Sequence, residues 1–177
     1  PSTEAEVAAA LTWAIERSSE STYLRLCSIP CILPYPADPA PEMRPGIGSI
    51  VRDGGDVSII AYGPVMLAQA YGAAQQLANA GISVRVLNLP WLNRVDATWL
   101  AGAIAGTRLL VTLDDHYVRG GQGEMILAAL AEHAWPTGLR AARVGLHDVP
   151  ACGHNDEVLA HHGLDEAGLA RTIRGLL

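Results

Sequence analysis

The sequence predicts an α/β protein: a mostly parallel β-sheet with helices on both faces. Three observations point there. From residue 57 onward, short aliphatic runs alternate with amphipathic stretches of about 10–15 residues, the pattern of strand–helix–strand crossovers. Glycine or proline punctuates most of the changes between them, as at Gly63-Pro64, Gly81 and Gly120-Gly121. The chain has 177 residues, 50% of them apolar, which suits one domain, or one domain and a fragment of another, with a core that needs no disulfide or metal staple.

Taken in order, residues 3–17 read as a helix. Thr3 and Glu6 fit a capping box, and Val7, Leu11, Ala14 and Ile15 form one apolar stripe. Ser18-Ser19-Glu20-Ser21 ends it, and Thr22–Leu26 reads as a short strand. Residues 30–45 hold six of the eleven prolines, so this stretch is extended and semi-rigid, and it reads as a domain boundary. Ser49–Arg52 is a short strand closed by the turn Asp53-Gly54-Gly55. Val57–Ala61 is an apolar strand, and Gly63-Pro64 opens a helix whose buried face is marked by Leu67, Tyr71, Ala74 and Ala78. Gly81 caps that helix, and Ile82–Leu89 is the next strand. Asp96 caps a helix over 97–105, and Arg108–Leu113 is a strand. Gly120-Gly121-Gln122-Gly123 leads into a helix over 124–134, and Leu139–Gly145 is the final strand. Helices near 155–161 and over 165–176 complete the chain.

Composition narrows the function. The net charge of −6 argues against a nucleic-acid or anionic-membrane footprint. All 12 basic residues are arginines, so a Walker A loop, a Schiff-base lysine and a kinase-type lysine are ruled out within this chain. No run of 18 apolar residues exists to span a membrane. Residues 1–20 carry four acids and one arginine, the wrong pattern for a signal peptide, and the missing initiator Met suggests a processed, trimmed or cut piece. Cys27, Cys31 and Cys152 include no C-x-x-C pair, so a structural zinc site is not expected and a reduced, cytoplasmic setting is the default.

The richest stretch is Leu113-Asp114-Asp115-His116-Tyr117-Val118-Arg119-Gly120-Gly121-Gln122-Gly123. It lies at the carboxyl end of a strand, where open α/β sheets bind ligands. Two acids beside a histidine suit acid–base or metal chemistry. The plainer and preferred reading is that Asp114 and Asp115 order loop amides and cap the next helix, with His116 making a contact. A dinucleotide site is disfavoured, because Gly121 and Gly123 are followed by Ile126 where the fingerprint needs glycine. The helix N-terminus near Glu124 is a candidate anion holder through its free amides. His154, His161 and His162 with Asp156 and Cys152 offer a weak metal pattern, and surface histidines are the commoner case. Arg25 stands between Leu24 and Leu26. Spacing leaves open a solvent-facing edge residue or an anion ligand.

A family resemblance goes further. Tyr62-Gly63 after a strand, Gly81–Leu89, Asp96, and Leu110–His116 with Gly120-Gly121-x-Gly123 resemble the C-terminal domain of transketolase-family enzymes. Cys152–Leu159 with His162-Gly163-Leu164 resembles the tail of split, small-subunit transketolases and is similar to deoxyxylulose-phosphate synthase. Pro1–Leu26 resembles the last helix and strand of the preceding pyrimidine-binding domain. The chain departs from the family pattern at Asp114-Asp115, Arg94-Val95-Asp96 and Cys27-Ser28, which bears on substrate choice more than on fold.

The resemblance implies a three-layer α/β/α, Rossmann-like domain with a five-stranded sheet, order 1-3-2-4-5, strand 1 antiparallel. It implies residues 1–29 as the end of a pyrimidine-binding domain, 30–47 as a linker and 48–177 as the C-terminal domain. It also implies a thiamine-diphosphate transferase that moves a two-carbon ketol unit between sugar phosphates, with Mg or Ca on the diphosphate. On this reading the chain alone binds neither cofactor nor metal and holds no catalytic residue. Arg25 meets the substrate phosphate, and Asp114, Asp115, His116, Gly120, Gly121 and Gly123 lie in a loop or interface near the active site. Partners are preceding thiamine-binding domains or a separate large subunit, in a homodimer or heteromer, with neither nucleic acid nor membrane. The alternatives are a catalytically inactive stand-alone binding or assembly domain, a beta-type subunit of a 2-oxoacid dehydrogenase, and, more weakly, a small nucleotide-binding oxidoreductase.

Overall fold

The computed structural model describes residues 1–39 and 41–177. The elements are α1 (Glu4–Glu16), β1 (Ser49–Arg52), β2 (Val57–Ala61), α2 (Gly63–Ala78), β3 (Val84–Asn88), α3 (Ala97–Ala103), β4 (Leu109–Tyr117), α4 (Gln122–His133), β5 (Arg140–Leu146), α5 (Asn155–His162) and α6 (Glu166–Leu176). The strands form a five-stranded sheet of order β1-β3-β2-β4-β5. Only β1 is antiparallel, pairing Ser49 with Asn88 and Ile50 with Leu87. The other pairings are parallel, with Ile59 set between Val86 and Val111. This is the order and polarity that the resemblance implies.

Alternation along β2 and β4 explains why the strands are apolar throughout. Ile59 and Val111 face a core closed by α2 and α6, through Leu67, Ala70, Leu77, Leu169 and Ile173. Ile60 and Leu110 face the opposite core, closed by α3 and α4 through Leu100, Ile104, Ile126 and Leu130. A strand covered on both faces cannot carry a polar face, so period-2 polarity disappears. The helix ends follow the capping signals. Thr3 Oγ1 accepts from Glu6 N at 3.0 Å and Asp96 Oδ1 from Trp99 N at 2.8 Å. Beyond α2, the amides of Gly81 and Ile82 return to Ala78 O and Leu77 O, with Gly81 at φ +78°.

Several expectations are corrected. Thr22–Leu26 forms no strand. Tyr23 and Leu26 are exposed, and the segment pairs with neither β1 nor β5; strand propensity without a partner ladder does not make a strand. The stripe on α1 is not the face that docks. Leu11 and Ile15 are exposed, whereas Glu6 and Ala10 are buried and Trp13 meets Trp91 edge to face at 4.8 Å. The capping box is half formed, because the Glu6 carboxylate turns to Ser2 and Asn88 instead of the cap's own amide. On α2, Ala78 is exposed and Leu77 takes its place in the core. β3 begins at Val84, two residues later than expected. β4 runs four residues past Leu113, and α4 starts at Gln122 rather than Glu124.

The described residues of 30–47 form neither helix nor strand, as the prolines dictate, yet they are not detached. Cys31 and Tyr35 pack against the core, and Tyr35 stacks at a tilt on Tyr71 at 5.2 Å. The semi-rigid linker expectation also includes Ala40, which lies outside the described residues. Among the described residues, no helix is long and apolar enough to cross a membrane.

Candidate functional site

The site candidates converge at the carboxyl ends of β2 and β4, where the acidic doublet extends β4. Successive side chains on a strand point to opposite faces. Asp114 and Asp115 thus part to opposite faces; Asp114 is fully buried, while Asp115 and, at the strand's outer end, His116 are exposed.

Asp114 is the fastener between β4 and α4. Its Oδ1 accepts from Gln122 N at 2.7 Å and from the Tyr62 hydroxyl at 3.4 Å, and its Oδ2 accepts from Gly123 N at 3.1 Å. These amides open α4, whose own N-cap, Gly121, has no side chain to offer. The carboxylate thus caps the helix from a neighbouring strand and sits against the positive end of its dipole. Burial nevertheless pushes the Asp114 pKa up, outweighing the hydrogen bonds from Gly123, Gln122 and Tyr62. Burial, reinforced by the charges of Asp114 and Asp115, pushes the Tyr62 hydroxyl up strongly.

The glycines belong to the same device. A Cβ at Gly121 would stand 2.7 Å from Tyr117 O and 2.8 Å from the Asp114 carboxyl carbon; one at Gly123 would overlap Thr112 Oγ1. They let the helix start close enough for its amides to reach Asp114. The expected free anion-binding helix end is therefore corrected: the amides of Gln122 and Gly123 already hold a carboxylate of this chain. At its outer edge, Glu124 takes the Arg143 guanidinium at 2.7 Å, which holds its pKa below the usual range.

Asp115 does not cap. It accepts from Arg25 Nη2 at 3.2 Å, across 90 residues of sequence, and each side chain is about half exposed. The pair stands at the mouth of a cleft of about 380 Å³ lined by Trp13, Leu24, Tyr62, Pro64, Met66 and Trp91. Gln122 supports the far wall, donating from Nε2 to Leu89 O and Trp91 O at 2.8 Å each. His116 turns its Nδ1 to Tyr117 O at 3.0 Å and takes no part in the cleft wall.

The remaining candidates separate. His154 sits at the N-cap of α5, where its amide donates to the Glu157 carboxylate at 3.1 Å. His162 Nε2 accepts from Ala151 N at 3.1 Å, and the His161 and His162 rings meet edge to face at 4.9 Å. Cys152 and Cys27 are exposed, while Cys31 Sγ donates to Pro64 O at 3.4 Å. Tyr62, Trp91 and the staple made by Gln122 were not singled out from the sequence as site residues. No local signal marks them, because each contact joins residues 31 or more positions apart.

The family described as transketolase, C-terminal domain, matches residues 46–169. The chain is 29% identical over 124 residues to one of the subunits of the apulose-4-phosphate transketolase of Actinobacillus succinogenes, spanning 70% of this chain and 40% of that protein. It is 33% identical over 137 residues to 1-deoxy-D-xylulose-5-phosphate synthase 1 of Geobacter sulfurreducens, spanning 77% of this chain and 21% of that protein. Among solved structures, a split-gene transketolase described as an inactive β4 tetramer superposes with a TM-score of 0.71 at 29% identity, over 81% of this chain and 46% of that one. With the sheet order and the match from residue 46 to 169 in agreement, the chain belongs to the transketolase C-terminal-domain family.

Proposed function

We propose that the chain is the C-terminal portion of a thiamine-diphosphate-dependent, transketolase-like enzyme that moves a two-carbon ketol unit between sugar phosphates. In this reading, residues 48–177 form the C-terminal domain, which serves packing and dimer assembly. Residues 1–29 are the last piece of a pyrimidine-binding domain, and 30–47 join the two. The observation that carries the proposal is the family match over residues 46–169, with relatives whose names carry a transketolase or a sugar-phosphate synthase activity. The opening segment agrees with it. Leu11, Ile15, Tyr23 and Leu26 are exposed there, an apolar face of the kind that further domains or a separate large subunit would cover. A solved neighbour made of β chains alone is described as inactive, which favours a required partner.

The residues present do not fit the cofactor. Asp114 is occupied by the α4 amides and Asp115 by Arg25, and among the described residues no group of three or more His, Cys, Asp or Glu side chains could hold a metal ion. In the parent enzyme, thiamine diphosphate and its Mg or Ca belong to the partner domains. What this chain offers the substrate is Arg25. Its guanidinium waits at the cleft mouth on a half-exposed carboxylate, a weak surface pair that a substrate phosphate can displace. A charge-assisted contact to phosphate is worth about 1.5–3 kcal/mol, or roughly ten- to a hundred-fold in binding.

Arg25→Ala in the complete enzyme is therefore expected to lower kcat/KM for a phosphorylated acceptor by about that factor and to spare an unphosphorylated one. An unchanged ratio of the two specificity constants would make Arg25 a structural partner of Asp115 only.

A further inference from the structure

Between β5 and α5 the chain runs through residues 147–153, which are exposed except for the half-buried Ala151. Because β5 is parallel to β4, this stretch leaves the carboxyl end of the sheet, the same end that carries the site candidates. Among the described residues, one hydrogen bond ties it to the rest of the chain: Ala151 N donates to His162 Nε2 at 3.1 Å. His147 and Asp148, the charged and titratable residues beside His162's partner, add no ion pair.

The accepting end of that bond sits on a well-fixed corner. His162 ends α5, and Gly163 follows it in the left-handed conformation at φ +67°. Leu164 N returns to Leu159 O at 2.8 Å and Gly163 N to Ala160 O at 3.2 Å, the paired bonds of a Schellman turn. The start of α6 packs against this turn so closely that a Cβ at Gly168 would overlap Gly163 O. Residues 147–153 thus hold to a braced corner through a single imidazole nitrogen.

We propose that residues 147–153 form a pH-sensitive strap, closed by the neutral His162 ring and released when that ring takes up a proton. The donor in the bond is a backbone amide, so Nε2 presents its lone pair and the ring's one proton sits on Nδ1. A protonated ring carries hydrogen on both nitrogens and has no lone pair to offer. Imidazole is also the side chain that changes charge in the physiological range. The surrounding groups supply no substitute. On α5, His161 meets the ring edge to face at 4.9 Å, Glu157 is taken by the His154 amide at 3.1 Å, and Asp156 lies in the first turn, at the far end of the helix. From α6, Asp165 gives its carboxylate to Gly168 N at 3.0 Å, and Glu166 is turned onto Gly72 of α2. Among the described residues, no carboxylate forms an ion pair with His162. The C-terminal end of α5 favours a positive charge there, so acid removes the acceptor and holds the charged ring at the helix end. This inference is independent of the activity proposed above.

The test is amide hydrogen exchange of the chain read residue by residue by NMR at about pH 7.5 and 5.5, corrected for the intrinsic pH dependence of exchange. Protection of the Ala151 amide is expected to fall by about three- to ten-fold at the lower pH, the worth of one hydrogen bond, while the amides of Gly163 and Leu164 in the corner keep theirs. His162→Gln places a side-chain oxygen that accepts at either pH, and should abolish the difference. Should that variant fail to fold, the wild type still decides: the Ala151 amide shift and the His162 ring shift should titrate with one midpoint. Equal Ala151 protection at both pH values, a pH response that survives in His162→Gln, or separate midpoints for the amide and the ring would overturn the strap.

Discussion

Asp114 and Asp115 are neighbours with opposite duties, and strand alternation assigns them. Because β4 continues to Tyr117, Asp114 points inward onto the α4 amides and Asp115 outward onto Arg25. The doublet and its helix-capping role were legible in the sequence. The division between the two acids was not, because the strand reads as ending at Leu113 once its aliphatic run stops. Asp114→Ala should lower unfolding free energy by about 1–3 kcal/mol for each amide left buried without an acceptor. The pH dependence has a definite sign. Burial raises the folded-state pKa of Asp114 above 3.8, so the folded chain holds this proton more tightly than the unfolded chain does. That contribution to stability is complete below pH 3.8 and is lost as pH rises through the folded-state value. Asp114→Asn cannot lose it. Urea unfolding of both proteins from about pH 3.5 to 7 should show the wild type losing ground to the Asn variant as pH rises. A difference independent of pH would contradict the burial argument.

At the scale of elements, the β4–α4 junction is held by close approach. In Gly120-Gly121-Gln122-Gly123 the glycines at 121 and 123 serve the contact of helix on strand, whereas Gly120 makes a left-handed turn at φ +72° with open space around it. Gly121→Ala pushes a methyl against Tyr117 O, which is backbone and cannot swing aside. It should cost about 1–3 kcal/mol or more, as overpacking does. At Gly55, where nothing stands within 4 Å of a Cβ, alanine should be near neutral by comparison in the same thermal melts. Comparable losses at the two sites would show that backbone entropy, not contact, explains Gly121. The helices and the sheet's strands were legible from periodicity and caps. The opening segment was not, because its signals are local while its docking is not. The α1 stripe of Leu11 and Ile15 is left outward, and Glu6, which reads as a capping residue, faces Asn88 82 residues away.

Across the whole molecule, alternation of strand and helix predicts a parallel sheet with two covered faces, and both cores fill it. Periodicity does not supply strand order or the antiparallel edge. Those came from the family resemblance, and the register of β1 on β3 agrees with it. The chain spans 40% and 21% of the two relatives described above. The direct measurement is calorimetric titration of thiamine diphosphate with Mg into this chain alone and into the parent assembly that adds the thiamine-binding domains, followed by a ketol-transfer assay of each. No binding and no turnover are expected for the chain alone, and both for the assembly. Micromolar cofactor binding by the chain alone, or an assembly that binds cofactor and transfers no ketol unit, would contradict this expectation.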